Sequence, residues 1–419
     1  TEPGLSANST FSAKDWKKKI RGTSTMEPIV TKIIAVAKDE GAYLAEWIFY
    51  HLYKGFDEIE VLINRTTDPS RTIIDRINKT YPQVSFTNVD FVDWVPGAVH
   101  QKFQQIAYAS ALETTINSSE NQTTHVMFLD IDEYWVHEDF SVSISSYLNQ
   151  VGSEKAISFC WLNEHPSDKP FTYLDKTLKG NRSQLVKSIF PLSRGMKKVQ
   201  LHQPILKTGR FVNADGSRWE ASDSSSEQSI HSIYKPAFIC HRLYRSPMEY
   251  TSTLMKGNIR GGEIPFKTNR HGLPNGTLIP QVSLEMDHMN WVEYENERDD
   301  FIRKLDLQSL IDDSREFVKE RYDASVDTLR KLLPVHHKQL IKLFSNVECE
   351  EVEATFSAYH DELIRSFEEQ VEKVRDLALL VEQYSTVEAL RIMEIALSLR
   401  PDGPKIKAKV MAYREKLDI

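Results

Sequence analysis

The stretch HVMFLDIDEYW, residues 125–135, decides the fold predicted for this chain. Residues 126–129 form a short apolar run between polar residues, which is typical of a strand buried on both faces. We expect this strand to run to residue 131, so that Asp130 and Asp132 point to the same side. Two neighbouring carboxylates repel unless a cation lies between them. The stretch therefore predicts a strand ending at a cation site, although Asp-x-Asp also occurs in solvated turns and helix caps.

The segments around this stretch alternate between strands and helices. Strands are predicted at residues 31–37, 59–63, 84–89, 126–131, 156–161 and 236–240, and helices at 42–54, 70–79, 98–112 and 248–259. Residues 185–212 are expected to form short strand-like pieces with several basic residues, among them Lys187. This alternation favours an α/β fold, with a mostly parallel sheet covered by helices on both faces. The motifs GxxxxGK[ST] and GxGxxG are absent, which argues against a P-loop ATPase and a dinucleotide-dependent dehydrogenase.

The last third of the chain is helical and charged, with helices predicted at residues 326–344, 352–384 and 387–399. The ending ALSLRP, residues 396–401, fits the second half of a helical repeat of about 34 residues, as in TPR proteins. A helical bundle that covers the α/β domain explains the pattern equally well. We expect three parts: a leader or peripheral helix at 1–29, an α/β domain at 30–285 and an all-α domain at 286–419.

Composition limits the classes of partner and the compartment. The formal net charge of −8 argues against a nucleic-acid binder, and no apolar run approaches the roughly 20 residues that span a bilayer. Cys160, Cys240 and Cys349 are far apart and form no CxxC motif, so we expect buried thiols in a reducing compartment. These features predict a cytoplasmic protein, free or peripheral to the inner face of the membrane. An upstream leader or anchor stays open.

Polar residues follow three of the predicted strands. They are Lys38, Asp39 and Glu40 after the first strand, Asn64 and Asp68 after the second, and Asp130, Asp132 and Glu133 after the fourth. Ligands of parallel α/β sheets bind at the carboxyl ends of strands, so we expect these side chains to converge on one crevice. Their oxygens suit Mg²⁺ or Mn²⁺, which share their remaining positions with water and substrate phosphates.

Three motifs in this order resemble those of nucleotide-sugar glycosyltransferases of the family 2-like and family 92-like group. They are KDEGAYLAEWIFYHLYKG with the turn NRTTD, residues 38–55 and 64–68; LDIDEYW, residues 129–135; and HRLYRSPMEYTSTLMKGNIRGG, residues 241–262. The resemblance covers residues 31–262 and implies a GT-A fold that binds a nucleoside-diphosphate sugar with Mn²⁺ or Mg²⁺. Asp39 stands where the group has Asn, and Arg242 where it has an aromatic residue.

The resemblance also implies roles for individual residues. Asp132 would bind the metal directly, Asp130 would contact the ribose or a metal-bound water, and His241 would complete the metal shell or touch the diphosphate. The nucleoside and diphosphate would contact Lys38, Asp39, Glu40, Asn64, Asp68 and Arg242. An inverting transfer needs a carboxylate base, for which Glu164 is the candidate, whereas a retaining transfer does not.

Several of these residues have equally ordinary structural explanations. Asp68 could cap the helix that follows Pro69, and Glu133 could orient the metal site or cap a helix. Trp47 and His51 lie on the apolar face of a predicted helix and are expected in the core.

The sequence thus predicts a metal-dependent glycosyltransferase that acts on a glycan or lipid-linked glycan acceptor in bacterial surface-polysaccharide assembly. One alternative is a helical-repeat scaffold with a degenerate transferase domain, against which the intact Asp130 and Asp132 pair argues. A second is a metal-dependent nucleotidyltransferase or phosphohydrolase, against which the His241 motif argues. The C-terminal helices could bind a protein partner or mediate self-association.

Overall fold

The computed structural model describes residues 28–94, 102–118, 122–222, 225–231, 233–257, 263–275, 281–367 and 370–419. Its strands are β1 Thr31–Ala37, β2 Glu58–Ile63, β3 Val84–Asn88, β4 His125–Asp130, β5 Glu133–His137, β6 Ala156–Glu164, β7 Thr177–Pro191, β8 Met196–Lys198, β9 Ile205–Leu206, β10 Phe211–Asn213, β11 Ala221–Ser222, β12 Ser225–Ser229, β13 Ala237–His241 and β14 Val282–Glu285. The predicted N-terminal leader lies outside the described residues except for residues 28 and 29.

Helices alternate with the first strands and then take over the end of the chain. They are α1 Gly41–Tyr53, α2 Ser70–Asn78, α3 Phe103–Asn117, α4 Ile144–Val151, α5 Pro247–Leu254, α6 His288–Lys304, α7 Gln308–Leu343, α8 Glu350–Phe367, α9 Val371–Val381, α10 Thr386–Leu399 and α11 Pro404–Lys416. An α/β domain followed by an all-helical region, as predicted, is confirmed. Within the described residues, no helix combines the length and the apolar character needed to cross a membrane.

The main sheet is mixed. Eight of its strands lie in the order β3-β2-β1-β4-β7-β6-β13-β5. The first four are parallel to their neighbours, whereas β7 is antiparallel to β4 and β5 is antiparallel to β13. The carboxyl ends of β1, β2, β3 and β4 therefore lie along one edge of the sheet, where the sequence predicts the ligand site.

Apolar runs predicted the early strands to within a residue or two, but two features near the acidic motif differ from expectation. Strand β4 ends at Asp130, and Ile131 and Asp132 form a turn into β5. The two aspartates are therefore not on one extended strand. Strand β7 is a continuous 15-residue strand rather than several short pieces, because its polar first half pairs with β14 and its apolar second half with β4.

Helix α1 fixes the position of the acidic motif. The indole Nε1 of Trp47 donates to the carbonyl oxygen of Glu133 at 2.8 Å, and the Tyr50 hydroxyl donates to Trp135 O at 2.8 Å. Trp47 and His51 are fully buried, which confirms their predicted place in the core. Burying large apolar side chains contributes about 1.5–3 kcal/mol each, so this helix holds the motif on a rigid support.

Contacts divide the described residues into two compact units. The first comprises residues up to Asn163, Tyr173–His241 and Gln281–Arg315, and the second comprises Glu164–Thr172, Arg242–Pro280 and Glu316–Ile419. This division differs from the predicted boundary at residues 285 and 286. Helix α6 belongs to the first unit because Phe301 packs on Phe49 of α1, with ring centroids 5.2 Å apart.

The second unit is built mainly from helices. The Tyr250 hydroxyl donates to Leu343 O at 2.9 Å, which ties α5 to the end of α7. The predicted helix at 352–384 is two helices, α8 and α9, and the rings of Phe356 and Tyr384 stack 4.2 Å apart. Successive helices α9, α10 and α11 pack against each other in chain order. The TPR-like repeat stays a prediction.

Candidate functional site

The carboxyl ends of β2 and β3 carry a polar cluster. The Asn64 amide donates to Asp90 Oδ1 at 3.1 Å and to Asp93 Oδ2 at 3.2 Å, and the Arg65 backbone N–H donates to Asp90 Oδ1 at 2.9 Å. Burial opposes the charge on Asp90, but hydrogen bonds from Arg65 and Asn88 outweigh it and lower its pKa. Asn64 was predicted from the sequence. Asp90 and Asp93 were not, because they lie in a short 3₁₀ helix after β3.

The carboxylates of Asp39 and Asp68 bond to nearby backbone. Asp39 has a left-handed backbone, with φ 52°, and its Oδ1 accepts from Thr67 N at 2.8 Å. Asp68 accepts from Gly41 N at 2.7 Å and from Ser70 N at 3.0 Å, at the starts of α1 and α2. Burial raises the pKa of Asp68, and these hydrogen bonds oppose that effect. The N-cap residues of α1 and α2 are Glu40 and Pro69, and neither makes a side-chain cap hydrogen bond, so the bond from Ser70 N to Asp68 is a turn before α2 rather than the helix cap that the sequence offers as an alternative role.

Lys38 and Glu40 flank Asp39 at the same end of β1. Both are half-buried. The Glu40 backbone N–H donates to Ser70 Oγ at 3.2 Å, and the Glu40 carbonyl accepts from the N–H groups of the first turn of α1. Their predicted contacts with a nucleotide stay predictions.

A buried lysine lies between two acids of the central motif. The Lys187 ammonium, on β7, lies 3.0 Å from Asp130 Oδ2 and 3.1 Å from Glu133 Oε2. Lys187 is 1% exposed and Glu133 is fully buried, whereas the Asp130 side chain is 33% exposed. Glu133 Oε2 also accepts from the backbone N–H of Asp130 at 2.9 Å. The Lys187 ammonium therefore supplies a positive charge between two carboxylates of this motif, where the sequence predicts a cation.

The pKa values of this cluster follow from burial and charge. Burial opposes the charge on Lys187, but Asp130 and Glu133 outweigh it and raise its pKa above the ordinary value. Complete burial raises the pKa of Glu133, and the Lys187 ammonium only partly offsets that effect. Lys187 therefore keeps its positive charge between these acids, while Glu133 binds a proton more readily than an exposed glutamate does.

Asp132 faces a histidine across the turn. Asp132 Oδ2 lies 3.6 Å from Nε2 of His241, the last residue of β13. The Asp132 side chain is 24% exposed and that of His241 is 7% exposed. A carboxylate and an imidazole at this separation fit as two ligands of one Mn²⁺ or Mg²⁺ ion that keeps water or phosphate in its other positions. Among the described residues, His, Cys, Asp and Glu form no metal-binding group of three or more.

The indole of Trp161 lies between two histidines beside these acids. Its ring centroid is 4.3 Å from that of His241 and 5.1 Å from that of His202. Burial, with the nearby Lys187 ammonium, lowers the pKa of His202 to about 4. Three buried polar atoms here have no hydrogen-bond partner among the described residues: Trp161 Nε1, Asn163 Oδ1 and His241 Nδ1. Buried polar atoms usually have partners, so a ligand rich in hydroxyl groups suits this wall.

Glu164 and Arg242 belong to the second unit and form an ion pair there. Arg242 Nε donates to Glu164 Oε2 at 2.7 Å, and Arg242 Nη1 donates to Thr172 O at 3.0 Å. Both side chains are largely buried, at 6% exposure for Arg242 and 12% for Glu164. One oxygen of the candidate base is therefore occupied by a guanidinium. The roles of Glu164 as base and of Arg242 at the diphosphate stay predictions.

Lys187 is the main residue of this site that the sequence did not reveal. It was visible only as one of several basic residues in a segment expected to form short strands. No local pattern pairs it with Asp130, which lies 57 residues earlier in the chain. Neither a protein-family model nor a curated protein sequence matches this chain.

Proposed function

We propose that this protein is a metal-dependent glycosyltransferase that uses a nucleoside-diphosphate sugar as donor. The observation that carries the proposal is the pairing of Asp132 with His241 at 3.6 Å, beside Asp130 and the ammonium of Lys187. This cluster lies at the end of β4, within the motif that resembles those of nucleotide-sugar glycosyltransferases. It combines a carboxylate and an imidazole, as ligands for one divalent cation, with the positive charge of Lys187, which suits a diphosphate leaving group.

Each residue of the cluster has a distinct task in this proposal. Asp132 and His241 would hold Mn²⁺ or Mg²⁺. The metal would neutralise the negative charge that develops on the leaving diphosphate. The Lys187 ammonium, 3.0 Å from Asp130 Oδ2, fixes the orientation of Asp130, so that Asp130 would accept a hydrogen bond from the donor ribose or a water. Glu133 holds the backbone of Asp130 through the hydrogen bond to its N–H.

The polar clusters on either side suggest how the donor lies. The carboxylates and amide around Asn64, Asp90 and Asp93 offer acceptors and donors to a nucleoside. The unpartnered atoms of Trp161 and Asn163 offer one donor and one acceptor to sugar hydroxyl groups. The acceptor in this proposal is a glycan or lipid-linked glycan of bacterial surface-polysaccharide assembly, reached at the cytoplasmic side of the membrane.

The test is the release of nucleotide from UDP-, GDP- and CDP-activated sugars, with Mn²⁺ and with a chelator. We expect one donor to release its nucleoside diphosphate only with the metal, and Asp132→Asn to lower the rate roughly 100-fold or more, because charge neutralisation by a metal is worth several kcal/mol. Asp75→Asn, an exposed residue of α2, is the matched control and should retain the wild-type rate.

The identity of the product separates the competing functions. Transfer or hydrolysis at the sugar releases a nucleoside diphosphate. Cleavage of the diphosphate instead releases sugar 1-phosphate, together with a free nucleoside monophosphate in a phosphohydrolase, or with the monophosphate transferred to an acceptor in a nucleotidyltransferase. Release of sugar 1-phosphate would replace the proposal with the second class of enzyme. Absence of release from every donor, with and without metal, would contradict catalysis at this cluster.

A further inference from the structure

The β8–β9 ribbon carries a concentration of positive charge that the proposed reaction does not use. Residues 194–210 contain Arg194, Lys197, Lys198, Lys207 and Arg210, and no Asp or Glu. The whole chain has a formal net charge of −8, so the other residues together carry −13. A five-charge cationic segment in an acidic protein is a local property that the overall charge hides.

Four of these charges are exposed and form no ion pair within the part of the chain that the structure describes. They belong to Lys197, Lys198, Lys207 and Arg210, and no described carboxylate lies within 4.0 Å of their charged nitrogens. Lys198 acts on the carboxyl of Glu227 at longer range and opposes the rise in its pKa that burial causes. Arg194 is half-buried and donates to the backbone carbonyl of Glu154, at 2.9 Å and 2.7 Å.

The ribbon is anchored at one side and open at the other. Met196 pairs with Leu206, and both pack on an apolar cluster of the first unit. Lys198 pairs with Ile205, which is 43% exposed, so one face of the ribbon presents a cation beside an apolar side chain. The ribbon forms a two-stranded sheet of its own.

The loop between β8 and β9 contributes His202 to the candidate site. Gln203 is buried and donates to Ser158 Oγ at 2.8 Å. The neighbouring His202 packs on Trp161, and its Nδ1 lies 3.0 Å from Val186 O. Any partner that binds the exposed strands would therefore contact the same ribbon that places His202 beside Trp161 in the candidate site.

We infer that the β8–β9 ribbon is a docking surface for an anionic lipid bilayer. Lysines are flexible point charges that are attracted to such a surface, and exposed Ile205 adds apolar contact with the interface. Single-stranded nucleic acid would also attract the charges, but its sites usually add exposed aromatic rings for base stacking. Residues 194–210 contain no Phe, Tyr or Trp. This inference does not depend on the proposed transfer reaction.

The test is co-sedimentation of the full chain with phosphatidylcholine vesicles, with and without phosphatidylglycerol. We expect binding only to the anionic vesicles, and release when NaCl is raised from about 0.1 M to about 1 M, because the Debye length falls from roughly 10 Å to 3 Å. The variant Lys197→Glu/Lys198→Glu/Lys207→Glu should lower partitioning at least on the order of 100-fold.

A matched control separates this surface from charge in general. Lys331→Glu/Lys338→Glu/Lys342→Glu changes three exposed lysines of α7 by the same charge and should bind anionic vesicles like the wild type. Equal binding by the ribbon variant and the wild type would overturn the inference and leave the lysines as protection of a sheet edge. Binding to a single-stranded RNA oligonucleotide without binding to vesicles would also overturn it. Neither readout requires sugar transfer.

Discussion

Two buried lysines of the first unit show how the same side chain serves different purposes. Lys54 and Lys187 are each 1% exposed. Lys54 follows α1, donates to Phe140 O at 2.6 Å, and lies 4.4 Å from the centroid of the Phe140 ring. Lys187 lies within 3.1 Å of Asp130 and Glu133. One lysine meets a carbonyl and an aromatic ring, and the other meets two acids.

The two environments shift the pKa in opposite directions. Burial lowers the pKa of Lys54 to about 7, with only a weak opposing effect from Asp139. Around Lys187 the two carboxylates outweigh burial, so its pKa is raised. A buried lysine is therefore a fixed positive charge only where acids hold it. This difference marks the Lys187 cluster, rather than Lys54, as the place where the fold keeps a buried positive charge.

The largest expected effect is on stability when Lys187 is removed. Lys187→Met leaves Asp130 and Glu133 without their cation, and losing one partner of a buried pair typically costs about 3–5 kcal/mol in the free energy of unfolding. Urea denaturation at pH 7 measures this loss. The double variant Lys187→Met/Glu133→Gln should recover part of it, and a loss below about 1 kcal/mol in the single variant would contradict the charge pair.

A smaller effect is expected when only one acid is neutralised. Asp130→Asn leaves Lys187 with Glu133 alone, and a hydrogen bond to a charged group is worth about 1.5–3 kcal/mol, so we expect a loss of about 2 kcal/mol. The same denaturation experiment applies. If Asp130→Asn and Lys187→Met cost the same, the contribution of Glu133 to holding Lys187 is negligible.

The matched change at Lys54 should cost least at neutral pH. Methionine has a similar volume, and Lys54→Met removes both one hydrogen bond and the cost of burying a charge, so we expect the free energy of unfolding to change by about 1 kcal/mol or less. A loss as large as that of Lys187→Met would remove the distinction between the two lysines.

The dependence on pH sharpens the comparison further. Because the folded pKa of Lys54 is about 7 and the unfolded value is about 10.4, the unfolded chain binds more protons between these limits. The contribution of Lys54 to stability therefore rises from pH 7 to about pH 10.4. The difference in unfolding free energy between the wild type and Lys54→Met should show this rise. The contribution of Lys187 to stability changes with pH in the opposite direction. It is fully present below about pH 10.4 and is lost as the pH rises from there toward the raised pKa of the folded state.

The sequence could predict the fold and the acidic motif, but not that Lys187 lies between Asp130 and Glu133. Strands β1, β2 and β4 are apolar runs, and polar residues stand at or directly after their ends. The local sequence therefore indicates both that these segments are strands and where they end. The first half of β7 reads TLKGNRSQ, which lacks an apolar pattern, and its pairing with β14 is set by residues about a hundred positions away. Lys54 likewise has no local signal of its burial, because its partner Phe140 lies 86 residues later in the chain.

The most direct test of the metal site is calorimetric titration of UDP, GDP and CDP, each with and without Mn²⁺. We expect one nucleotide to bind the wild type in the presence of Mn²⁺, and Asp132→Ala to abolish this binding while Asp75→Asn retains it. Binding that is unaffected by both Mn²⁺ and Asp132→Ala, or no binding of any nucleotide under all conditions, would contradict this expectation.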